Sequence, residues 1–65
     1  MAGYRISMAA ARLNAGLTQG ELAAKLQLSK QTIINWESGH SYPDPAHFLL
    51  FCQICNVPPD MIIFE

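Results

Sequence analysis

The chain has 65 residues, enough for one domain and no more. Half of them are apolar (51%) and only 14% are charged, a balance that excludes intrinsic disorder and supplies the dense core that so short a chain needs. The net charge of −1, with only Arg5, Arg12, Lys25 and Lys30 as fixed cations, by itself argues against a polyanionic partner, since phosphates are met mostly by Lys and Arg.

In chain order the punctuation predicts an all-α compact bundle of five short helices, a single domain over residues 1–65. Residues 4–15 are rich in the helix formers Ala, Met, Leu and Arg, and stop at Gly16. Thr18, with Glu21 three positions on, forms a capping box that opens a second helix to about Leu26. Gln27 and Leu28 make a short connection. Ser29 caps a third helix that runs to about Ser38 and stops at Gly39. His40 to Asp44 reads as a loop. Pro45 suits the first turn of a fourth helix, which continues to about Cys55. Pro58, Pro59 and Asp60 then launch a final turn or two through Phe64. Apolar positions recur at three and four residues, not two, so strands are excluded; the apolar run over residues 48–54 has the length and the proline start of a buried helix.

Catalytic chemistry finds no support in the pattern. Nucleophile and base are not arranged as a triad, glycines do not form a phosphate loop, and paired carboxylates are missing. Cys52 and Cys55 are spaced C-x-x-C, but a zinc site needs four ligands and His40 and His47 stand at no familiar spacing from them. On an apolar helix both thiols read as core filler. The expectation is a protein without catalysis, metal, cofactor or small-molecule ligand. Reduced thiols and the lack of a leader or spanning segment point to the cytoplasm.

Two short helices joined by a three- or four-residue turn make a helix-turn-helix when they cross steeply, and residues 18–38 meet its demands. Ala23 is small where the backbones come closest, Leu28 plugs inward after the turn, and Ile33 and Trp36 share the inner face of the second helix.

From Arg12 to Ile63 the chain resembles the lambda repressor and Cro-like, or Xre, helix-turn-helix domains. The resemblance rests on Arg12, Gly16-Leu17-Thr18-Gln19, Glu21-Leu22-Ala23, the segment from Ser29 to Ile33, Trp36-Glu37-Ser38-Gly39, Pro43, and Asn56-Val57 ahead of Asp60. It implies double-stranded DNA as partner and a helix of residues 29–38 in the major groove. Lys30, Gln31, Thr32 and Asn35 would then meet base edges, for which their side chains are suited. Gln19, Ser29 and the loop backbone at Gly39, His40 and Ser41 would meet phosphates. Arg12 and Glu37 would form an ion pair joining the first and third helices. Relatives often place Lys or Arg in the loop, where this chain has none, and commonly have glycine at positive φ in the turn, where Gln27 stands at a cost of about 1 kcal/mol.

Leu50 and Ile54, four apart, together with Met61 and Phe64, form an apolar stripe on the part of the fold where many relatives dimerise, so a two-fold homodimer is expected through them. The resulting reading is a sequence-specific transcriptional regulator, a repressor of the phage or mobile-element type on a palindromic operator. The alternative is an antitoxin-like interaction module with the same fold and weak DNA affinity.

Overall fold

The computed structural model describes residues 5–64. Four α-helices follow one another: α1 (Met8–Asn14), α2 (Gln19–Leu26), α3 (Lys30–Ser38) and α4 (Pro45–Ile54). The expected fifth helix is a single 3-10 turn, Pro59–Met61, after which Ile62 is extended. The turn ends because Ile62 leaves helical geometry, at φ −88° and ψ 130°, to pair with Ile6.

Each α-helix begins on a side-chain cap. Ser7, Thr18, Ser29 and Asp44 accept from the backbone N–H three residues on, which satisfies one of the otherwise orphaned amides. At Thr18 the box is complete, because Glu21 also accepts from the Thr18 N–H at 2.8 Å. The first helix therefore starts at Met8, not at residue 4: Ser7 caps it, while Tyr4 lies outside the described residues.

The four ends share one device. Gly16, Gln27, Gly39 and Asn56 have positive φ, and the N–H of the next residue returns to a carbonyl five residues back: Leu17 to Arg12, Leu28 to Ala23, His40 to Asn35 and Val57 to Cys52. This is the Schellman closure, normally sealed by an apolar residue after the left-handed one. Leu17, Leu28 and Val57 comply and pack on the core. His40 is exposed.

Phe51, Leu22 and Ile33 are fully enclosed, with Met8, Ala11, Ala23, Leu26, Trp36, Cys52, Cys55 and Ile62 around them. Helices α2 and α3 pack most extensively on each other, with Ala23 buried between them as its small side chain requires. Beyond the helices, Ile6 and Ile62 form an isolated parallel bridge, Ile6 N–H to Met61 carbonyl at 2.8 Å and Ile63 N–H to Ile6 carbonyl at 2.9 Å. It joins the two ends of the described chain and seals the core beside Met8. No helix among the described residues is long and apolar enough to cross a membrane.

Candidate nucleic-acid interface

Ile33 and Trp36 are buried and fix the rotational setting of α3. Gln31, Asn35 and Ser38, spaced four and three apart, therefore share the opposite face. Gln31 and Lys30 are exposed; Thr32 and Asn35 are half-buried. The Gln31 amide donates to Asn35 Oδ1 at 3.0 Å. That bond uses one of the two lone pairs on the Asn35 oxygen and leaves Gln31 a free carbonyl oxygen and one N–H, the pair needed for bidentate contact with adenine. Gln31 is the more exposed of the two, with Asn35 as its brace. Thr32 is held to the cap, its hydroxyl 2.9 Å from that of Ser29, and Ile34 is half-buried at the flank.

Behind this face Arg12 and Glu37 form the expected ion pair, Nε to Oε2 at 2.7 Å and Nη2 to Oε1 at 3.3 Å. Arg12 also donates to the Leu17 carbonyl at 2.9 Å, so its charge is committed to the fold. Gln19 joins the same cluster, its amide donating to Glu37 Oε1 at 3.0 Å. The sequence placed Gln19 on a phosphate. In the fold one of its two amide hydrogens is drawn inward to the ion pair, a contact between residues too far apart in the chain for spacing to reveal.

The loop after α3 also differs from expectation. The N–H of Gly39 donates to Trp36, and those of His40 and Ser41 both donate to the Asn35 carbonyl, at 2.9 and 3.3 Å. All three amides are turned toward the helix end, and His40 and Ser41 are both exposed. The His40 Nδ1 lies 2.7 Å from the Ser38 hydroxyl, which also bonds the Asn35 carbonyl.

The apolar stripe is only half present. Leu50 is 47% exposed, but Ile54 packs against the core rather than away from it, and Met61 is half-buried. Leu49, which the sequence reading passed over, is exposed beside Leu50. Phe64 lies edge-on to Tyr42, ring centroids 5.5 Å apart, and 5.6 Å from Phe48, while keeping 42% of its surface open.

Cys52 and Cys55 are buried free thiols, and burial pushes both thiol pKa values up, the state of inert core residues. Among the described residues no cluster of three or more His, Cys, Asp or Glu is positioned for a metal ion.

A family model described as helix-turn-helix matches residues 8–62. No curated protein and no solved structure matches the chain. The match spans all four helices and the bridge residue Ile62, and the chain belongs to the lambda repressor-like, Xre-type helix-turn-helix family, whose members are DNA-binding regulatory domains.

Proposed function

We propose that this helix-turn-helix chain is a sequence-specific transcriptional regulator that lays α3 in the major groove and reads adenine with Gln31. The observation that carries the reading is the exposed, pre-bonded Gln31–Asn35 pair on a helix whose other face is locked by Ile33 and Trp36. A rotamer already held in place loses little freedom on binding, so more of the contact energy is left for discrimination. Lys30 stands exposed beside it and Ser29 opens the helix, both suited to guanine acceptors or phosphate.

One protomer brings few cations, since Arg12 is spent on Glu37. The protein therefore acts as a homodimer on a palindromic operator and represses by occupying it, two protomers doubling the phosphate contacts and setting two α3 helices about one DNA turn apart. Exposed Leu49, Leu50 and Phe64 support an apolar contact between protomers.

Selection of bound sites from random duplex DNA tests this. A palindromic consensus whose enrichment is lost with Gln31→Ala is the expected result. No enrichment, with affinity for any partner indifferent to salt, would instead favour an interaction module on the same fold, because phosphate-driven binding weakens steeply as salt rises.

A further inference from the structure

We infer that an aromatic groove between the loop after α3, the start of α4 and Phe64 binds a small lipophilic organic cation of the quaternary ammonium or phosphonium class. Tyr42, Pro43, Pro45, Phe48 and Phe64 line the groove, whose volume is about 410 Å³, within the range of small-molecule sites. Its walls are almost wholly apolar. Tyr42 and Phe64 nevertheless remain 56% and 42% exposed, so their rings are open to a guest. None of the base-reading residues of α3 lines the groove, so the inference holds whether or not that helix reads DNA.

Ring geometry is the first argument for a cation. Phe64 stands at 88° to Tyr42 and 52° to Phe48, with centroids 5.5 and 5.6 Å away. Rings at such angles form walls rather than a flat stack, so one guest meets more than one π-face. The negative face of an aromatic ring attracts a cation and repels an anion, most strongly where water is excluded. Pro43 and Pro45 stiffen the rim, which limits the freedom lost when a ligand enters.

The distribution of charge is the second, and it is independent of the rings. Arg5, Arg12, Lys25 and Lys30 all fall in the first 30 residues, against the single acid Glu21. Residues 31–65 hold Glu37, Asp44, Asp60 and Glu65 and no Lys or Arg. Every residue that lines the groove therefore belongs to the acidic part of the chain. Glu37 is paired with Arg12. Asp44 stands between the two rim prolines with its side chain 57% exposed, and its ion-pair partner among the described residues is His47. A phosphate or other anion is disfavoured here on the same grounds that favour a cation.

Tetraphenylphosphonium and tetraphenylborate share a shape and carry opposite charge, and calorimetric titration of the protein with each tests the inference. The cation is expected to bind about tenfold tighter than the anion and to shift the ring-proton resonances of Tyr42, Phe48 and Phe64. Tyr42→Leu and Phe64→Leu each keep an apolar wall but remove a π-face, and each weakens the cation about tenfold with the circular dichroism spectrum unchanged. Asp44→Asn, which retains a helix cap, weakens it about threefold. Leu13→Gln, at a leucine 65% exposed on α1, leaves both affinities as they were. Equal affinity for the two ions overturns the inference. So does cation binding that survives both ring variants or falls with Leu13→Gln, since that is adsorption to apolar surface in general. Binding that fades as protein concentration rises, with sedimentation showing dimers, means that a second copy covers the groove, and overturns it too.

Discussion

Arg12 on α1 and Glu37 on α3 meet 25 residues apart in the chain, Nε to Oε2 at 2.7 Å, with side chains only 10% and 9% exposed. The pair is the polar seam between the first and third helices, and through Gln19 it also ties the start of α2 to the end of α3. Removing one partner strands a charge that has no other counter-ion in the seam. Glu37→Leu is expected to lower unfolding free energy by about 3 kcal/mol, and Arg12→Met by a similar amount. The double variant Arg12→Met/Glu37→Leu should lose much less than the sum. Urea titration of all four proteins checks it; simple additivity would mean the pair contributes nothing as a pair.

Gln27 holds φ 59° at the end of α2, where a side chain is disfavoured. Gln27→Gly should stabilise the protein by about 0.5–1 kcal/mol, the relief of strain exceeding the added freedom of the unfolded chain. Asn56 at φ 54° offers a smaller gain, since asparagine tolerates this region. Thermal melts of the two single variants would rank them.

Gly20 in the first turn of α2 has ordinary helical φ, and a Cβ added there meets only Thr18 Oγ1 at 4.0 Å. Gly20→Ala should therefore raise stability by about 0.5 kcal/mol. If α2 directs its start at phosphate, the same change weakens duplex binding while the protein becomes more stable, an opposition that denaturation and anisotropy measurements together would reveal.

Acid should loosen the helix caps. Hydrogen bonds from the Thr18 backbone N–H and hydroxyl hold the Glu21 carboxyl below its ordinary pKa, and the hydrogen bond from the His47 ring does the same for Asp44. A depressed folded-state pKa gives stability that is present above the unfolded value and lost as pH falls through the folded one. Melting temperature is expected to fall on acidification from the ordinary carboxylate range downward, and less steeply in the variant Glu21→Gln/Asp44→Asn. An equal slope in both proteins would remove the caps from the explanation.

The buried thiols should resist alkylation. Cys52 and Cys55 ought to react with iodoacetamide at the rate of global unfolding, and quickly only in denaturant. Fast labelling of the native protein would show that α4 opens on its own.

What the amino-acid order determined by itself were the features whose causes lie within a few residues. Thr18 with Glu21, Ser29, Gly16, Gly39 and Pro45 mark starts and stops because a cap bonds three residues ahead and a left-handed stop bonds five behind. Ser7 and Asn56 carry the same local signals, which a first helix begun at residue 4 and a fourth ended at about Cys55 passed over. The spacing of Ala23, Leu28, Ile33 and Trp36 sufficed for the helix-turn-helix, since helical period alone gathers the inner face. Tertiary structure decided everything that depends on groups meeting across the core: the diversion of Gln19 to Glu37, the Ile6–Ile62 bridge, and the turning of Ile54 inward while Leu49 stays outside. It also decided the state of the loop after α3, where the amides of Gly39, His40 and Ser41 turn toward the helix end. Hydrogen-bond donors are finite, and only the folded chain reveals which have already been used.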